Sequence, residues 1–273
     1  MNYLKYGKQV QQQPQKPQPQ GFGKDEKNVK ISNEDFKFGD LTGSNNQIPK
    51  QQVSPPPSSP QKGKDELLQA FPTPILVCSC PIDYSREKKW CLDYDCDKHN
   101  SDSEKSSYNR QSKDTFILDN PELKRIREFI QQKIDVFVSQ IYKSTDKLII
   151  TQSWLNKSGR GESHHHHQHP NSVISGVWYP SINPNLPPIT FDNARMSQIQ
   201  MRVEDGSFNN FNSSYFTVPM NDGELILFPS GTFHRVAVNI SDDERVSLSF
   251  NTWVKGSIGN KEKLTYLPLD RCV

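Results

Sequence analysis

Beyond residue 66 the apolar positions of the chain fall into two regimes. Leu123, Ile126, Phe129, Ile130, Ile134, Phe137, Val138 and Ile141 recur at the three-and-four spacing of one helical face. Asn120-Pro121-Glu122 precedes them with a capping side chain, a proline suited to the first helical position and an early acid, so an amphipathic helix of about six turns is predicted there. Such a helix covers one face of a sheet and carries no chemistry. After Asp146 the pattern changes to short runs of β-branched and aromatic residues: 148–155, 173–179, 189–191, 215–218, 224–228, 235–238 and 245–253. Turn signals separate them, among them Lys157-Ser-Gly159, Asn221-Asp-Gly223 and Pro229-Ser-Gly231. Strands in series with no helix between them predict a mainly β fold of two antiparallel sheets, a jelly roll with a supporting N-terminal helix. Leu67 to Val77 reads as an edge strand, because Pro72 and Pro74 bar it from a sheet centre.

Composition divides the chain in two. Residues 1–65 are mainly Gln, Pro, Lys, Ser and Asn, with too little apolar surface to offset the entropy of ordering, and read as a disordered Gln/Pro-rich leader; 66–273 is the folded domain. Phe22 and Phe36-Lys-Phe38 are the leader's candidate partner contacts. A second polar stretch, Asp97 to Lys113, reads as an exposed loop. The net charge of +2, with acids and bases interspersed, gives no nucleic-acid signal and no partner. No run approaches the roughly 18 apolar residues of a membrane helix. The start of the chain has no signal-peptide core, which makes an intracellular protein with reduced thiols the expectation. Cys78, Cys80, Cys91 and Cys96, followed by His99, lack the two close pairs of a structural zinc site and read as ordinary cysteines.

Histidine changes the picture. Five of the seven lie in Ser163-His-His-His-His-Gln-His169, immediately before a strand-like run ending at Tyr179. Histidines one apart on an extended backbone point to the same side, which makes His167 and His169 a candidate metal-ligand pair; His164, His165 and His166 read as a solvated extension of the loop, one of which could shift register into the site. His234 follows a turn near the other end of the β region, and a jelly roll can bring an early and a late strand together at its mouth. Further on, Arg245, Ser247, Ser249 and Asn251 alternate with Val246, Leu248 and Phe250, so one face of that strand is polar. An arginine directed into a barrel is costly unless it meets an anion matched to its planar fork, which invites a dicarboxylate cosubstrate. Trp154, Asn156 and Tyr179 are expected near the same pocket. Ser175-Gly176 marks close strand packing.

These stretches resemble a known family. Phe71-Pro-Thr-Pro-Ile75, Ser153-Trp-Leu-Asn156, His167 to Tyr179, Gly223 to Ser230 with His234, and Arg245 to Asn251 are similar, in order and spacing, to the 2-oxoglutarate- and Fe(II)-dependent oxygenases related to prolyl 4-hydroxylases. The resemblance spans about 70–254. It implies a double-stranded β-helix with Fe(II) in its mouth, His167, His169 and His234 as metal ligands, and Arg245 with Ser247 on the far carboxylate of 2-oxoglutarate. It also implies oxygen-dependent hydroxylation of an unidentified substrate, protein or small molecule, with peptidyl proline one candidate. Related oxygenases usually carry a carboxylate where this chain has His169, so Asp192 stays open as a substitute ligand. Two rival readings remain: a three-histidine cupin-like dioxygenase that does not use 2-oxoglutarate, and a non-catalytic metal-binding module.

Overall fold

The computed structural model describes residues 71–98, 108–193, 207–209 and 211–271. The leader with Phe22 and Phe36, as well as His99 and Cys272, lies outside them. Along the described residues run β1 (Leu76–Ser79), α1 (Ser85–Asp93), β2 (Asp97–Lys98), β3 (Arg110–Gln111), α2 (Lys124–Gln140), β4 (Lys147–Ser158), β5 (His164–His167), β6 (Ile174–Ser181), β7 (Ile189–Asp192), β8 (Tyr215–Val218), β9 (Glu224–Pro229), β10 (His234–Val236), β11 (Arg245–Lys255), β12 (Ser257–Ile258) and β13 (Leu267–Pro268).

From β4 to β11 the chain shuttles between two antiparallel sheets. The larger has the order β1-β9-β6-β11-β4-β3-β2 and the smaller β5-β10-β7-β8, with β12 and β13 paired apart. Early and late strands thereby become neighbours in both sheets, β4 beside β11 and β5 beside β10. This is the mainly β jelly roll read from the alternation, in its double-stranded β-helix form. The proline-marked edge strand is β1, at one border of the larger sheet.

Period-two alternation gives the larger sheet two different faces. Trp178 of β6, Leu225 and Leu227 of β9, and Val246, Leu248 and Phe250 of β11 share one buried cluster with Ile126, Ile130, Ile134 and Phe137 of α2. Their sequence neighbours Val177, Tyr179, Ile226 and Phe228 join Ile189, Phe191 and Val218 of the smaller sheet in a second cluster. At Gly176 an added Cβ would stand 2.4 Å from Phe250 Cζ and 2.6 Å from Leu227 Cδ2, so the strands there are packed to glycine's dimensions.

The helix begins as the sequence suggests. Asn120 accepts a hydrogen bond from the Glu122 amide at 3.0 Å. A short 3₁₀ turn, Pro121–Leu123, then leads into the 17 residues of α2, in place of one continuous α-helix. Helix α1 has no counterpart in the apolar pattern, because its buried side chains are only Glu87 and Cys91. The polar stretch 97–113 is not all loop: its described ends pair as β2 and β3, and Arg110 sits opposite Lys157 of β4. The described cysteines are free, and burial pushes the Cys91 thiol up to about 12 and Cys96 up to about 11, which keeps both protonated. No described helix is long and apolar enough to cross a membrane.

Candidate metal centre

The pairing of β5 with β10 builds the site. His234 and His167 stand opposite each other in one rung, and His234 also faces Phe191 of β7. The chain then turns, and the His169 amide donates to the Ser230 carbonyl at 3.0 Å, which brings that histidine back over the strand end. His167, His169 and His234 present ligand nitrogens that all lie within 4.8 Å of one another.

The donor set suits a divalent transition metal. His234 Nδ1 lies 2.9 Å from the Thr232 carbonyl and His167 Nδ1 lies 2.7 Å from the His165 carbonyl. A carbonyl only accepts, so both Nδ1 atoms carry the proton and both Nε2 atoms carry the lone pair. Outer hydrogen bonds of this kind orient metal-ligating imidazoles. His169 Nε2 stands 3.3 Å from His234 Nε2; metal–nitrogen bonds of about 2.1 Å place adjacent ligand nitrogens roughly 3.0–3.4 Å apart. Burial, reinforced by neighbouring histidines, lowers the pKa of His169 to about 3 and that of His234 to about 4, so both are neutral at pH 7. The ring of Trp154 lies over His169 at 5.8 Å between centroids.

Asp192, the carboxylate alternative, is directed elsewhere. Its oxygens meet Arg235 at 3.3 and 3.4 Å and His166 Nε2 at 3.2 Å, and it joins no metal-ligand group among the described residues. Nor does any described cysteine.

The expected solvated extension, His164 to His166, needs correction. It is strand β5, and only His165 and His166 are exposed. His164 pairs with Val236 while His167 pairs with His234, so three steps on β5 match two on β10. That extra residue is a β-bulge, and it turns His164 to the same side as His167 instead of the opposite one. The two rings stack at 4.5 Å and 15°, and His164 lines the inner cavity. Burial, then His167, His165 and Arg245, holds its pKa well below the usual imidazole value.

Arg245 closes the other end of this cavity, only 3% exposed. Nη1 donates to Ser247 Oγ at 3.0 Å and Nη2 to the Tyr179 hydroxyl at 3.4 Å, and the guanidinium lies 5.1 Å above the Tyr179 ring. Burial pulls its pKa below the ordinary value and Tyr179 opposes the shift. Nε is buried with no partner, and no described carboxylate pairs with the group. Trp154 and Asn156 line the same cavity. Asn156 donates to Ser249 and accepts from Asn109, at 3.1 and 2.9 Å. Asn109 lies in the polar stretch 97–113, where no pattern singled it out. About 20 Å3 of the cavity is open, room for a water or two.

Residues 152–251 match the family model described as "Putative 2OG-Fe(II) oxygenase". No curated protein matches the sequence. Among solved structures, the chain is similar to the α-ketoglutarate-dependent epimerase SnoN from nogalamycin biosynthesis, with 13% identity, 67% of this chain and 79% of that one covered, and a TM-score of 0.47. It is similar to a Pseudomonas putida prolyl-4-hydroxylase, with 15% identity, 66% and 92% covered, and a TM-score of 0.45. It is also similar to HygX from Streptomyces hygroscopicus, a structure with nickel, 2-oxoglutarate and hygromycin B bound, with 10% identity, 66% and 82% covered, and a TM-score of 0.45. These likenesses are remote, and the assignment rests on the family match. That match, over residues 152–251, takes in β5, β10, the three clustered histidines and the buried arginine, and it supports an enzyme of the 2OG-Fe(II) oxygenase type, which works with Fe(II), 2-oxoglutarate and O2.

Proposed function

We propose that this oxygenase hydroxylates a C–H bond of a protein side chain such as proline, with His167, His169 and His234 holding Fe(II), and Arg245 and Ser247 holding the far carboxylate of 2-oxoglutarate. One observation carries the reading. Arg245 is a buried cation whose Nε has no partner, in the same cavity as the histidine triad. Burying such a charge costs several kcal/mol unless an anion completes it, so its retention argues for a carboxylate ligand. Ser247 fixes one arm of the guanidinium and Tyr179 the other, which fits the fork for bidentate recognition.

The metal, when bound, supplies the oxidative chemistry by which O2, 2-oxoglutarate and a C–H substrate become succinate, carbon dioxide and the hydroxylated product. The chain's own residues orient and exclude. The Thr232 and His165 carbonyls hold His234 and His167 with their lone pairs turned inward. Trp154, Val177 and Ile189 line the cavity and limit its water.

Anaerobic titration of 2-oxoglutarate into the Fe(II)-loaded chain tests the seat: binding in the micromolar range is expected, with a large loss in Arg245→Ala. Equal binding by Arg245→Ala would sink this reading and favour the three-histidine dioxygenase, which the all-imidazole triad also suits. Oxygen-dependent succinate release stimulated by proline-containing peptides tests the substrate class. Stimulation by small metabolites alone would remove proline.

A further inference from the structure

The histidine tract holds a second set of ligands that overlaps the first. His164, His165 and His167 present nitrogens that lie within 4.8 Å of one another. The bulge in β5 stacks His164 on His167, and the His165 ring stands 4.8 Å from His167 and 5.3 Å from His164. His166 takes no part, since it stacks on Phe233 and meets Asp192.

We propose that His164, His165 and His167 form a second seat for a divalent cation of the Zn2+, Ni2+ or Cu2+ class, and that this seat and the His167–His169–His234 seat cannot be filled together. The donor chemistry sets the class. Three neutral imidazoles with no carboxylate bind the later first-row metals most tightly, by the general order of divalent affinities, and that order holds for the inner triad as well. Exclusivity follows from His167. Its Nδ1 proton is given to the His165 carbonyl at 2.7 Å, so the ring has one lone pair for metals and cannot bridge two ions. An ion drawn to the outer seat therefore removes a ligand from the inner one. Bringing nitrogens from as far as 4.8 Å to the roughly 3.4 Å of a common ion asks for side-chain rotation. His165 is exposed and β5 is an edge strand, so the rotation meets little packing. The exclusivity rests on the proposed iron role of His167; the outer seat does not.

Zn2+ binding to the full-length chain, measured by competition with a chromophoric chelator, tests this. In a His169→Ala/His234→Ala background, which removes the inner seat, one Zn2+ per chain is expected to bind. Adding His165→Ala should weaken that binding at least tenfold, and adding His166→Ala should change it less than twofold. No binding in the double variant overturns the outer seat. So do equal losses from His165→Ala and His166→Ala, the signature of an undirected histidine tract. Should the double variant not fold, His169→Ala alone serves as the background: added His165→Ala should again weaken Zn2+ binding at least tenfold and added His166→Ala less than twofold, and equal losses overturn the seat. Native mass spectrometry of the unsubstituted chain should show one Zn2+ at saturation, and two would overturn exclusivity. A failure of 2-oxoglutarate to bind would sink the proposed function and leave these outcomes as they are.

Discussion

The two faces of β11 hold the same strand to opposite demands. On one, Val246, Leu248 and Phe250 are fully buried with the apolar side chains of α2. On the other, Arg245, Ser247 and Ser249 line the cavity, buried almost as deeply but polar. The first face gains free energy from being dry. The second loses free energy from being dry until a ligand completes it, so stability and function are set on opposite sides of one strand.

Truncation should therefore act differently on each side. Phe250→Ala is expected to cost about 3–5 kcal/mol of stability by opening a cavity under α2; urea denaturation checks it, and a loss below about 1 kcal/mol would mean the helix-side cluster is loosely packed. Arg245→Met should do the reverse. It should raise the 2-oxoglutarate dissociation constant roughly 100-fold, or about 2.7 kcal/mol, while stability stays level or rises, because an apolar side chain of similar volume replaces a buried charge. Calorimetric titration and urea denaturation of the same preparation read both. Gly176→Ala, where β6 meets Phe250 and Leu227, should cost about 1–3 kcal/mol by overpacking.

Acid separates the faces more gradually. The folded-state values of about 4 for His234 and about 3 for His169 lie below the ordinary 6.5, so the unfolded chain takes up protons first. Their contribution is complete above pH 6.5 and is lost as pH falls toward 4 and then 3. The urea midpoint of chelator-treated protein should thus be lower at pH 5 than at pH 7.5, and a flat profile would show that the pocket face carries no such linkage. Smallest of all should be Asp192→Ala, which is expected to alter metal affinity less than about threefold because the carboxylate serves Arg235 and His166. A hundredfold loss on isothermal titration would make Asp192 the third ligand after all.

The helix-side face was legible because apolar spacing is what that face consists of. Ile126, Ile130, Ile134 and Phe137 announced α2, and the strands from Leu148 to Trp253 fall close to their predicted spans because alternation against a core leaves a period of two. On the pocket face, Arg245 and Ser247 were legible as polar residues on a strand whose alternate positions are apolar. Strand β5 was not. Four consecutive histidines have no alternation to read, and the bulge that turns His164 inward depends on its register with β10, which no local pattern encodes. Helix α1 escaped for a related reason: it buries a glutamate and a cysteine, so its face does not read as apolar.

The rung that sets His167 opposite His234 would also make a metal held there, as proposed, a clasp. Strand β5 borders the smaller sheet and, among the described residues, pairs with β10 alone. An ion held from both sides of that rung would add a crosslink at one edge of the sheet, so loading would couple to local opening. Amide exchange along 164–167 should slow on metal binding far more than along β6, which lies between β9 and β11 and has little opening left to suppress.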